Sequence, residues 1–203
     1  MKRIHFLIAL CLAILPLTAE TGNPGLPKKF AEVWAYLMDG EEQYLSPLAP
    51  ISDLGYFGAG ISATGELVGV PRREKISFFK GRTHLVVAEV TSFMATHFVM
   101  DPAFPLREPF MNALVKASEP FDGVQIDFEK VLIKDKELFY SFLRELRTRL
   151  PGKIFSLAVP ALVSDSPGIW NYGDLNTLAD KIVVMAYDEH WSGGSPGSIA
   201  SLA

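Results

Sequence analysis

The stretch Phe121-Asp122-Gly123-Val124-Gln125-Ile126-Asp127-Phe128-Glu129 decides the fold. Side chains alternate faces along a strand, so Val124, Ile126 and Phe128 share one face and Gln125, Asp127 and Glu129 the other. The apolar face suits packing under helices. Two inward acids beside an inward amide are costly to bury for stability alone, which points to chemistry. Residues two apart stand roughly 6.5–7 Å apart along a strand, so Asp127 and Glu129 can attend one substrate without touching the same atom. The same acids could also end a strand facing solvent or cap the next helix.

Working outward, apolar runs recur on both sides of this segment. Ala31–Met38, Asp53–Ser62 and the β-branched His84–Val90 precede it; Ile154–Val159 and Lys181–Tyr187 follow it. Leu138, Phe139, Phe142, Leu143, Leu146 and Leu150 repeat at helical spacing until Pro151-Gly152 stop them. Phe110–Ser118 reads as a second helix, and the first two connections carry weaker helical signals. Strands alternating with helices predict βα units on a parallel sheet. Pattern alone leaves an open doubly wound sheet and a barrel both standing.

The motifs choose the barrel. Asp122-Gly123, Asp127 and Glu129, with Gln125 where a further acid would stand, resemble the fourth strand of glycoside hydrolase family 18, the chitinases and related N-acetylglucosaminidases. Met185-Ala186-Tyr187-Asp188 is similar to that family's sixth-strand signature, and Ser156–Ala161 to its fifth strand. Asp188-Glu189-His190-Trp191-Ser192-Gly193-Gly194 and Ala63–Leu67 resemble the branch of bacterial cell-wall and spore cortex-lytic N-acetylglucosaminidases. The third strand carries Thr91-Ser92-Phe93 in place of the Ser-x-Gly-Gly usual in chitinases. The resemblance covers roughly Ala31 to Leu202 and implies an α/β fold of the (β/α)8 TIM-barrel type, with the active site at the C-terminal mouth.

It also implies a substrate-assisted retaining mechanism on β-linked N-acetylglucosamine-containing glycan, peptidoglycan or chitin-like, with no cofactor and no metal. Glu129 is then the general acid, Asp127 holds the substrate acetamido N–H, and Tyr187 aims the acetamido oxygen. Asp188, Met185, Gln125 and Trp191 are expected to bind substrate, with Trp191 either stacking on a sugar or packing on the rim. Glu129 must start protonated, with Asp127 and Asp188 as the neighbours that would raise its pKa. Tyr187 and Asp188 would face opposite ways on an ideal strand, so Asp188 can join the site only where the strand ends. His84 and His97 read as structural.

The remaining sequence bounds the setting. The 203 residues are 49% hydrophobic, enough for one core. Lys2 and Arg3, the apolar run Phe6–Leu15, Pro16 and the small Ala19 predict a secretory signal over 1–19, then a linker over 20–30 and a partial barrel over 31–203. The expected location is secreted, periplasmic or at the cell envelope. Cleavage would remove the one cysteine, Cys11, and leave 17 basic against 23 acidic residues, a net −6. Such a chain is a poor nucleic-acid binder; a polysaccharide is the expected partner. About six βα units fit before Ala203, so the barrel is expected to be C-terminally truncated, or completed by a partner chain. A non-catalytic glycan-binding protein and an inactive remnant are the alternatives to a hydrolase.

Overall fold

The computed structural model describes residues 30–162, 168–190 and 193–200. The expected signal over 1–19 and nearly all of the expected linker lie outside these residues. Six strands pair in parallel in the order β1-β2-β4-β5-β6-β7: β1 (Trp34–Met38), β2 (Asp53–Ile61), β4 (Arg82–Glu89), β5 (Gly123–Phe128), β6 (Ile154–Pro160) and β7 (Lys181–Met185). A two-residue strand, β3 (Leu67–Val68), folds back antiparallel on β2. The sheet is curled, an incomplete barrel.

The later connections are helical, as the periodicity predicts. Helix α3 (Lys136–Arg149) joins β5 to β6 and buries Phe139, Phe142, Leu143 and Leu146. Gly152 beyond it takes φ +75, the left-handed geometry that stops a helix. Helix α2 (Arg107–Ala117) precedes β5, and a short α4 (Tyr172–Leu175) precedes β7. Helix α1 (Phe93–Met100) escaped the sequence reading because its apolar residues run almost all round it; Ser92 Oγ caps it by accepting from Ala95 N at 3.1 Å. The first two connections differ from expectation and carry no α-helix, only short 3-10 turns at Glu42–Tyr44 and Arg73–Ile76 and the β3 hairpin.

The two faces of β5 fall as the alternation predicts. Val124, Ile126 and Phe128 are buried on the helix side, where Phe128 meets Phe142 at 5.8 Å between ring centroids. Burial of a side chain of this size contributes about 1.5–3 kcal/mol, so this face fixes the strand against α3. Gln125 and Asp127 are buried on the opposite, inward face.

Ionic and polar contacts fasten the N-terminal end of the sheet. Asp53, fully buried, accepts two bonds from Arg82 (2.7 and 2.6 Å), one from Ser52 (2.7 Å) and lies 2.9 Å from His84 Nε2. Burial pushes its carboxyl up, but Arg82, Ser52 and His84 together hold it down at about 2. His84 stacks on Trp34 at 4.3 Å, and burial lowers its pKa, so both histidine and tryptophan fill the floor as structural groups. Gly123 is glycine for this reason: a Cβ there would sit 2.3 Å from His84 Nδ1 and 2.5 Å from Ile154 O. Asp122 before it accepts from Thr83 N at 2.7 Å and tethers β5 to β4. His97 is likewise structural, its Nδ1 3.0 Å from Asp135 at the start of α3.

Candidate active site

The inward face of β5 opens into a cleft of about 490 Å³ lined by Tyr36, Phe57, Gln125, Asp127, Ala158 and residues of the β7 end including Met185 and Tyr187. Four of the residues expected at the site thus meet in one place: Gln125, Asp127, Met185 and Tyr187. Strand alternation delivers the first two. Neighbouring β6 contributes small side chains there, Ser156 and Ala158, which leave the room that the acid and the amide face.

Glu129 stands one residue past β5, exposed, its backbone N–H bonded to Glu89 O at 3.0 Å. Asp127 below it is 5% exposed. Burial first, and the Glu129 charge second, raise the Asp127 carboxyl to about 6. The raised acid identified here is therefore Asp127, where the sequence argument asked for an elevated Glu129. Gln125 Nε2 donates to Ser156 Oγ at 3.2 Å.

The C-terminal end of β7 departs from expectation. The strand was read through Tyr187 but closes at Met185, because Ala186 N donates to Val184 O at 3.0 Å in a three-residue turn that draws the chain off the ladder. Alternation therefore does not govern Tyr187 and Asp188. Tyr187 still lines the cleft although 55% exposed, while Asp188 is exposed with φ +59. Burial chiefly raises the Tyr187 hydroxyl pKa, with the Asp127, Glu129 and Asp188 charges adding to it. Asp188 thus acts on the tyrosine beside it. His190 Nδ1 lies 2.8 Å from Ser195 O and closes the following loop. Trp191 lies outside the described residues.

Tyr36 and Phe57 are site residues that the sequence reading missed. Their rings meet at 5.4 Å and form the wall of the cleft opposite β7. The Tyr36 hydroxyl stands beside Gln125 and Asp127, and burial raises its pKa. Both aromatics sit in runs that read as core. Inward alternation from β1 and β2 was the available signal. The arrangement is a paired carboxyl site with aromatic walls: one acid buried and inclined to keep a proton, one at the mouth, and a tyrosine hydroxyl facing both.

Comparison with known proteins agrees with this geometry. The model of the glycosyl hydrolases family 18 matches residues 91–203, more than half of the chain. A Bacillus subtilis (strain 168) protein named for a sporulation-specific glycosylase, YdhD, is 41% identical over 87 residues, covering 40% of this chain and 21% of that protein. The structure of the Bacillus cereus spore cortex-lytic enzyme SleL superposes with a TM-score of 0.72 at 22% identity, over 83% of this chain and 44% of that one; it supports the fold. A chitinase from Chromobacterium violaceum gives 0.73 at 25% identity, over 84% and 60% of the two chains. The chain thus spans less than two thirds of the length of each.

Proposed function

The chain belongs to the glycosyl hydrolases of family 18, and from that membership and the carboxyl pair we propose that it hydrolyses β-linked N-acetylglucosamine-containing glycan of the peptidoglycan or chitin type. Glu129 protonates the leaving glycosidic oxygen. The substrate's own acetamido oxygen attacks the anomeric carbon and forms an oxazolinium ring, which water then opens with retention. Asp127 accepts the acetamido N–H and balances the positive charge that develops on that ring. Tyr187 donates its hydroxyl to the acetamido oxygen and aims it, an orientation effect. Met185, Gln125, Asp188 and Trp191 contact the sugar. A signal over 1–19 would deliver the protein across a membrane to the cell envelope or beyond, where such polymers lie.

The observation that carries this reading is the state of Asp127. It is buried at the base of the cleft, two residues from Glu129, and raised to about 6. A buried, raised carboxyl costs stability and is explained by a use in the cleft. The names of the relatives, a sporulation-specific glycosylase and a spore cortex-lytic enzyme, favour peptidoglycan within the wider substrate class.

The test is release of chromophore from a chitobioside and of reducing ends from purified peptidoglycan, with Glu129→Gln as control. Turnover that drops by roughly a thousandfold or more in the variant, with glycan binding retained, is the expected result. Binding without turnover in the unmodified chain, or equal turnover in the variant, overturns it.

A further inference from the structure

Gln125 and Asp127 share the inward face of β5, and both are buried. Among the described residues, Gln125 Oε1 and Asp127 Oδ1 are buried oxygens without a hydrogen-bond partner. Both are acceptors when Asp127 is ionised, and two unpaired acceptors on one buried face are costly. A proton on Asp127 turns one of them into a donor and can satisfy both. The amide has a second answer. A half-turn of its terminal group exchanges Oε1 for Nε2, presents an N–H to an ionised Asp127, and leaves Oε1 to accept from the Ser156 hydroxyl. A carboxylate at position 125 could not donate without first acquiring a proton.

We propose that Gln125 is a positioning residue whose amide turns with the protonation of Asp127, accepting from the neutral acid and donating to the anion. The proposal rests on the hydrolase reading above. In the resting cleft the carboxyl pair keeps its proton on Asp127, against Gln125 Oε1. When substrate brings its acetamido N–H to Asp127, the proton leaves Asp127 and arrives on Glu129, so the charge of the pair is unchanged. Gln125 then donates to the Asp127 anion and holds it facing the sugar. Glu129 is left protonated, ready to act as acid.

The groups that face Asp127 allow this exchange. Glu129 lies beyond the end of its own strand, Tyr36 comes from β1, and Tyr187 follows β7 with Asp188 next to it. Ala88, its register partner on β4, and Ser156 and Ala158 on β6 bring no charge. Burial raises both tyrosines, so they stay neutral hydroxyls while the carboxyl pair changes state.

The experiment is side-chain NMR on the full chain between about pH 4 and 8, following the Gln125 amide group and the Asp127 carboxyl carbon. The amide resonances are expected to move with the same midpoint as Asp127, with amide-proton contacts to Ser156 at low pH giving way to contacts with Asp127 at high pH. Amide signals that stay fixed while Asp127 titrates overturn the proposal. Gln125→Leu removes acceptor and donor together, so the Asp127 midpoint should stay within about half a unit while kcat falls about tenfold. A midpoint that rises by more than about one unit means the amide serves the anion alone, which also overturns it. The measurement on the unmodified chain decides the matter if the leucine variant does not fold. Neither NMR readout depends on turnover: a titrating amide without hydrolysis sinks only the hydrolase reading, and hydrolysis with a static amide sinks only this one.

Discussion

The carboxylate of Glu32, just ahead of β1, accepts bonds of 2.9 and 3.1 Å from Nζ of Lys181, the first residue of β7, so side chains join the two edge strands across 149 residues of chain. Arg82 at the start of β4 reaches the same carboxylate at 3.0 Å and continues to the buried Asp53. Lys181 chiefly, then Arg82, lowers the Glu32 pKa. The bridge is partly exposed, so its strength should depend on salt. Lys181→Met is expected to lower Tm slightly at low ionic strength and hardly at all in about 0.5 M salt, read by a thermal melt in each buffer. An equal loss in both would mean that Lys181 acts through packing.

Deeper in the same network the cost is larger. Arg82→Met leaves the Asp53 carboxylate buried without its guanidinium. Loss of one partner of a fully buried pair costs 3–5 kcal/mol, and the partial exposure of Arg82, 42%, brings the expectation to about 2 kcal/mol. That corresponds to a fall in Tm of about 4–8 °C. The depressed Asp53 pKa adds a sign. Its contribution is present above the unfolded value near 4 and is lost as pH falls through about 2, so melts of the two proteins should converge toward that acid limit.

Asp127 has the opposite sign. Its folded pKa, about 6, lies above the unfolded value, so below about pH 4 the carboxyl is protonated in both states and costs nothing. Between about 4 and 6 the unfolded chain ionises first, and the folded protein loses stability as pH rises. Asp127→Asn should therefore stabilise by about 2 kcal/mol at pH 7 and by nothing near pH 4, while hydrolysis is lost. Urea midpoints at the two pH values check this; a variant no more stable at pH 7 would show that Asp127 is not strained in the cleft.

Much of this was legible in the sequence for a simple reason. Each central strand is a contiguous apolar run, and the inward acids break that run at alternate positions. Gln125 and Asp127 therefore fell on the correct face. What failed was local backbone chemistry: the turn at Ala186 takes Tyr187 and Asp188 off the strand, and no residue type there announces it. Tyr36 and Phe57 were hidden because an aromatic lining a cleft and one filling a core look alike in a sequence. The Glu32–Lys181 bridge was illegible for a third reason, since only the curl of the sheet brings those residues together.

Tyr187 tests how far the cleft itself, apart from its acids, contributes to rate. Its hydroxyl faces the Asp127 and Glu129 charges, and burial together with those charges keeps it protonated and able to donate. If it aims the acetamido oxygen, Tyr187→Phe removes a donor that matters during attack and little before it. The expected result is a fall in kcat of about 10²-fold with KM changed less than about threefold. The ring is 55% exposed, so the fold should tolerate the change, and the melt should move by less than about 0.5 kcal/mol equivalent. A raised KM with kcat intact would instead make Tyr187 a binding wall, with the acetamido group oriented by Asp127 alone.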